Sequence, residues 1–468
     1  MDTIGAAPPP PATTPEITAT LAEYVAASPT RALPEDIVEK ATLHVLDTLA
    51  AIIACHDLEP ARVARAYAAR NSGALTTPIL GATQTASLTD AVFATAMTAH
   101  AAEINDFCPS SYVQPGPAVV STALLLGREQ RIDGVRLLRA VVAGYEVACR
   151  LPKAIGAEAM RGTGVANHGI GAIFGAAVAA ASVLGHRAGE VEHLLSLTAQ
   201  QASGSWQWLL DVEHVEKALV FAGMGARSGL QSALFVEAGF TGVPGSFDHD
   251  RGWLRSTYLA GGPASADHDY LVRDLGTRFE LPLVGLKQFP VGGPTQPAVQ
   301  ALLDVVPDVQ VPDVARVLVE LPSHNSRAFA EAGMPALNVP YLTSIILLDG
   351  RLDFVAAQSL ARMAGDPEVR ALMRKVEVRA DPAQNAMPRV ESARVTIVHE
   401  DGSSRTRFVE HVKGFPSHPM SKDDVVAKAK SLVQPHLGPA RTTELCDAVL
   451  GMARLERLDP LIDLMARV

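Results

Sequence analysis

Residues 167–181 read NHGIGAIFGAAVAAA, a run without a formally charged side chain and built largely of glycine and alanine. Such a run offers little apolar area per residue. It becomes stable only where neighbouring backbones approach closely, so it predicts a buried helix at the centre of a helical bundle. The uncharged stretch from Gly169 to Gly185 falls short of the roughly 18 to 20 apolar residues that span a bilayer, and no membrane partner is expected. The imidazole of His168 at the head of this run is the anomaly to explain.

Flanking segments fit the same bundle. PEDIVEKATLHVLDTLAAIIA, from Pro34, and DGVRLLRAVVAGYEVACRL, with Asp133 as N-cap, carry apolar residues at three- and four-residue spacing. TDAVFATAMTAHAAEIND and EKALVFAGMGARSGLQSALFVEAG are rich in small residues. With 48% hydrophobic residues but only 5% aromatic, the interior must be filled by Ala, Val and Leu, as in closely packed helices. After Leu281 the texture changes. ARVLVELP, KVEVRAD, ARVTIVHEDG and RTRFVEHVKG predict strands, with a hairpin at Asp401-Gly402, while TQPAVQALLDVV and NVPYLTSIILLDG predict helices packed on the sheet. KDDVVAKAKSLVQPHL and ARTTELCDAVLGMARLERL return to helix. The expected fold is mainly α: a large all-helical domain (16–281 and 412–468), a smaller α+β lid domain (282–411) inserted before the C-terminal helices, and a disordered tail at 1–15. A chain of 468 residues exceeds what one core usually holds.

Several function classes are disfavoured. A net charge of −10 without a Lys/Arg cluster argues against nucleic acid. Four cysteines without CxxC spacing read as reduced thiols, and residues 1–15 lack a signal-peptide pattern, so a cytoplasmic location is expected. GIGAIFG has the wrong glycine spacing for a dinucleotide turn and no strand before it. Neither a phosphate loop nor HExxH is present, and the two DHD triplets at His249 and His268 lie in Gly/Ser-rich turns, so no metal and no cofactor are expected.

The remaining polar residues stand in segments otherwise suited to burial. His100, Glu103 and Asp106 fall at helical spacing at the end of a helix that runs into a proline-bounded loop. His168 follows Asn167, a suitable N-cap. Lys217 precedes ALVFAGMGA, and Lys287 lies on a Gly/Pro-rich turn before a helix whose N-terminus suits an anion. Singly, each has an ordinary explanation: solvated carboxylates at a helix end, a first-turn histidine bonded to backbone, a snorkelling lysine, a linker.

Taken in order, HAAEIND with its proline-bounded loop, NHGIGAIFGAAVAAASVLG, EKALVFAGMGARSGLQSALFVEAGFTG, LKQFPVGGPTQPAVQALL, NVPYLTSIILLDGRL and GFPSHPMSKDDVVAKA resemble the MmgE/PrpD family over about residues 17 to 465. The resemblance implies a helical domain with an α+β lid, a homodimer, no metal or organic cofactor, and a site between the domains for a small di- or tricarboxylic acid. By motif position it implies His168, Lys217, Tyr341 and Asp106 as catalytic residues and Glu103, Gln114, Lys287 and His100 as substrate-binding ones. Gln114-Pro115 stands where the family commonly has His-Pro, and Val291 to Gly293 replaces a histidine after the K-x-F/Y-P turn.

Removing a proton beside a carboxylate builds an enolate-like dianion. It requires a base matched to neutral pH and cations where charge develops. A neutral, desolvated His168 suits the first role and Lys217 and Lys287 the second, with Tyr341 or Lys217 available as acid. The expected activity is a cofactor-independent lyase of dehydratase type. An isomerase or epimerase using two acid–base groups is the alternative, and a non-catalytic binding protein with this fold the second alternative.

Overall fold

The computed structural model describes residues 16–71, 76–260, 266–307, 309–388 and 390–465. The expected tail at 1–15 lies outside the described residues. The fold is mainly α, as the periodicity predicts.

The glycine-alanine run forms the helix Asn167–Leu184, buried at every residue from Asn167 to Val183. It is long and apolar enough to cross a membrane, contrary to the length reading above, but it is enclosed by protein. Its neighbours are the helices Pro115–Glu129, Gly134–Ile155 and Met224–Glu237. Glycine makes these approaches possible. A Cβ on Gly175 would lie 2.8 Å from the Ala148 Cβ, and one on Gly229 would lie 2.5 Å from the Ile173 carbonyl oxygen. Gly229→Ala is therefore expected to destabilise by about 1–3 kcal/mol, although alanine is the better helix former. Gly189, where an added Cβ meets nothing within 4 Å, is the control: Gly189→Ala should be neutral or stabilising by up to about 1 kcal/mol. Denaturant midpoints check the pair, and equal shifts in the two variants would remove close approach as the reason.

Asp133 caps Gly134–Ile155 as expected, its carboxylate accepting from the Arg136 amide at 2.7 Å. Asn167 does not cap its helix. The N-cap position is Ala166, and the Asn167 amide instead donates to the Ala157 carbonyl at 2.9 Å.

The four strands read from the sequence form one sheet in the order Val376–Ala380, Val314–Leu321, Ala393–His399, Ser404–Val409. The first pair is parallel and the others antiparallel, with the hairpin at Asp401-Gly402. Helix Gln296–Val305 packs on this sheet, as expected, and Val339–Asp349 beside it. These elements build a second apolar cluster, to which Phe107, Trp208 and Phe221 of the first part contribute. The C-terminal element Lys422–Leu450 is broken at Gly438 (φ 72°), between Pro435 and Pro439, which cannot donate to the helix ladder. It packs against Glu35–Ala54, where Lys428 pairs with Asp47 and donates to the Ile104 carbonyl at 2.7 Å. That contact fixes the segment in which the polar residues gather.

Candidate active site

The helix Leu88–Ala99 stops one residue before His100, so Glu103 and Asp106 lie on an irregular loop and not at helical spacing. Nor are they solvated: His100, Glu103, Asn105 and Asp106 are all buried. Glu103 is the hub of an ion cluster. Its Oε2 accepts from the Lys287 ammonium at 2.7 Å, and its Oε1 meets the Lys217 ammonium and, at 3.2 Å, the His214 Nε2. Burial alone would push the Glu103 carboxyl up, but the two ammonium groups hold it well below the usual carboxylate range. For Lys217 burial prevails over the pairing, and its pKa is lowered.

Lys217 lies in the short helix Val215–Ala218, which runs into a π-helical turn, Leu219–Gly223, before Met224–Glu237. π-turns are uncommon and recur at functional sites. Here the turn carries Phe221 four residues after Lys217. The His168 ring stacks on Phe221 at 3.8 Å between centroids and meets Trp206 and Trp208 edge-on at 5.1 and 5.4 Å. Lys217 stands 4.6 Å from the Trp208 ring and 5.1 Å from that of Phe221, so the imidazole and the ammonium share two rings. His168 Nδ1 is buried without a hydrogen-bond partner.

These groups border a cavity of about 70 Å3. Glu103, Gln114, His168, Lys217 and the half-buried Arg161 are among its polar lining residues, and Phe329, Leu337 and Val390 of the α+β part line it as well. Of the residues singled out in the sequence, His168, Lys217, Glu103 and Gln114 line this cavity. Lys287 stands behind Glu103, and His100 lies beside it, bonded through Nδ1 to Asn105 at 2.8 Å and stacked on Phe221 at 4.8 Å. The other two are neither on the cavity wall nor bonded to Glu103. The Tyr341 hydroxyl donates to the Ala356 carbonyl at 2.6 Å within the α+β part. Asp106 accepts from the Gly116 amide at 3.1 Å and the Tyr145 hydroxyl at 2.6 Å, with His44 Nδ1 at 3.0 Å. Its carboxylate pins the loop and is not part of the cavity lining.

The sequence reading missed His214, Arg161, Trp206 and Trp208. His214 adopts a left-handed backbone (φ 66°), uncommon for a residue with a side chain and a sign of constraint. His100, Glu103 and His214 offer donor atoms within 4.8 Å of one another. A divalent cation there would face both ammonium groups already on Glu103, so the donor set suits an internal ion cluster better than a metal.

The three imidazoles share one electrostatic property. Burial lowers the pKa of His168 and His100 well below 6.5 and also lowers that of His214, with Lys217 adding to the effect on all three. The unfolded chain takes up these protons near pH 6.5 while the folded protein does not. The unfolded state therefore binds more protons below that value, and stability is expected to fall as pH drops from about 6.5, by up to about 1.4 kcal/mol per pH unit for each histidine. Unfolding midpoints at pH 7.5 and 5.5 check this, and His214→Gln should flatten the dependence. A midpoint that rises on acidification contradicts it.

Comparison with known proteins gives a consistent result. Residues 19–264 match the MmgE/PrpD N-terminal domain and residues 289–452 the MmgE/PrpD C-terminal domain. A cis-aconitate decarboxylase of Aspergillus terreus is 26% identical over 376 residues, 75% of this chain and 74% of that protein. Another from Aspergillus terreus (strain NIH 2624 / FGSC A1156) is 24% identical over 496 aligned positions, 96% of each chain. A "cis-aconitate decarboxylase-like protein oryM" of Aspergillus oryzae is 22% identical over 377, 75% of this chain and 76% of its own.

Proposed function

The chain belongs to the MmgE/PrpD family, and we propose that it is a cofactor-independent lyase of dehydratase type acting beside the carboxylate of a small acid. The observation that carries the reading is His168, kept neutral by burial, sharing the Phe221 and Trp208 rings with the Lys217 ammonium at a cavity lined largely by apolar side chains. In the forward step the His168 imidazole takes the proton from the carbon next to the substrate carboxylate. The bond from the neighbouring carbon to its hydroxyl oxygen breaks, and Lys217, whose lowered pKa suits it to donate, protonates the departing oxygen. The products are an unsaturated acid and water. The positive charge of the cluster stabilises the dianion between these events. Glu103 keeps Lys217 and Lys287 in place and limits their repulsion. Tyr341, bonded to Ala356, takes no part in the step. Residues 282–411 act as the lid, through Phe329, Leu337 and Val390.

Decarboxylation is the second reading, favoured by the printed names of the relatives. There the bond from carbon to carboxylate would break, and the Lys217 ammonium would protonate the carbon that loses carbon dioxide and recover its proton from water. Incubation with a panel of small hydroxy and unsaturated acids in deuterium oxide, followed by proton NMR, tests the assignment. A new vinyl signal from a hydroxy acid is the expected result. Released carbon dioxide would support the second reading, exchange without conversion an epimerase, and silence across the panel would overturn the enzyme assignment.

A further inference from the structure

The cavity lining is of two unlike kinds. Its ionisable part holds Lys217, His168 and Glu103. Counting Lys287 behind them, two ammonium groups and one carboxylate leave a single net positive charge in the buried cluster. Apart from Gln114, Tyr112 and Arg161, the large side chains of the remaining lining are aromatic and aliphatic, among them Trp206, Trp208, Phe107, Phe329, Leu337 and Val390. Among the described residues, the other cation at the cavity is Arg161. It is half-buried and lies 5.3 Å over the Trp206 ring, with its Nη1 3.5 Å from the Tyr112 hydroxyl, which itself donates to Glu158 at 2.6 Å.

One carboxylate placed against Lys217 balances the cluster. A second or third would be stripped of water against ring faces whose quadrupole presents negative charge. The volume, about 70 Å3, corresponds to roughly five to seven water-sized positions at about 10–15 Å3 each. That leaves room for a body of a few carbon atoms up to one ring.

We propose that this site takes an acid with a single carboxylate and an apolar body, a branched or aryl substituent seated on the Trp206, Trp208, Phe329 and Leu337 wall, and not a polycarboxylate. The inference rests on the lyase reading of the same cavity. The chain has three tryptophans, of which Trp206 and Trp208 line the cavity while Trp253 packs against Phe174 and Phe247. Tryptophan fluorescence therefore reports occupancy without turnover.

Titration with trans-cinnamate, 3-methylcrotonate, fumarate and cis-aconitate should show at least one of the two apolar monoacids binding about tenfold or more tightly than either polycarboxylate, the scale that one or two buried carbon groups confer. Phe329→Ala should weaken the apolar acids about tenfold and move the polycarboxylates by less than about threefold. Leu337→Ala serves in its place if that variant does not fold, and the wild-type ranking stands without either. Tighter binding of fumarate or cis-aconitate, abolished in Arg161→Gln, overturns the proposal, as does no binding by any of the four. The two claims fail separately. If the apolar acids bind in the expected order but neither 3-hydroxy-3-phenylpropanoate nor 3-hydroxy-3-methylbutanoate exchanges or loses water in deuterium oxide, the lyase reading falls and the ligand class stands.

Discussion

His168→Gln is expected to fold and to lose on the order of 100- to 10,000-fold in turnover of the true substrate, the range a positioned acid–base group supplies. The expectation combines three features. The ring is buried and stacked on Phe221, so it is oriented without needing the substrate. Burial, reinforced by Lys217, lowers its pKa, so the basic form is present at neutral pH. Its Nδ1 has no protein partner, so replacement by an amide breaks no hydrogen bond at that atom. A purely structural histidine would behave differently, with a loss of about 1–3 kcal/mol in stability and near-normal kcat in the molecules that remain folded. kcat and KM measured beside a denaturant midpoint separate the cases. The acidic limb of the wild-type pH profile should lie below 6.5, where the lowered pKa puts it, and should vanish in the variant. Retention of most of the turnover by folded His168→Gln would return the residue to a packing role.

How far the site was legible depends on whether its parts are local. The helix Asn167–Leu184 and the sheet strands follow from spacing that a few neighbouring residues define, and they appear where the periodicity sets them. His168 and Lys217 stand out because each borders an apolar run in which an ionisable group is costly. Glu103 was visible as an acid but not as a hub. Its partners Lys217 and Lys287 are 114 and 184 residues away, and nothing in HAAEIND encodes that meeting. The lysines therefore read as ligands for a substrate anion, whereas the protein supplies the first anion itself. The helical spacing of His100, Glu103 and Asp106 misled for a related reason. The segment leaves the helix at Ala99, and tertiary partners, Lys428 on the Ile104 carbonyl and Asp106 on the Gly116 amide, set its path. Trp206, Trp208 and His214 sit in GSWQWLLDVEHVEK, polar enough to pass for a surface turn. Only tertiary contacts make the two tryptophans walls of the cavity and bring His214 to Glu103.

Glu103→Gln should be the most destabilising conservative change in the site, costing about 3–5 kcal/mol, the usual result of removing one partner from a buried ion pair. The side chain keeps its shape, so the cost is electrostatic. Two ammonium groups, on Lys217 and Lys287, would remain buried with no carboxylate between them. The variant can relieve this by releasing a lysine proton, which makes the penalty pH-dependent with a definite sign. Without Glu103, the pKa of Lys217, already lowered by burial, loses the carboxylate that raised it and falls further below that of the unfolded chain. The unfolded state then binds more protons, and the variant gains stability as pH rises from 7 towards 10, more steeply than the wild type. A second substitution sharpens the test. Lys287→Met in the Glu103→Gln background removes one orphaned charge and fills its space with a thioether chain, so the double variant should be more stable than Glu103→Gln alone, a coupling that a double-mutant cycle reads directly. If Glu103→Gln costs under about 1 kcal/mol, and the double variant is weaker still, the cluster is not the buried, mutually dependent unit its geometry describes.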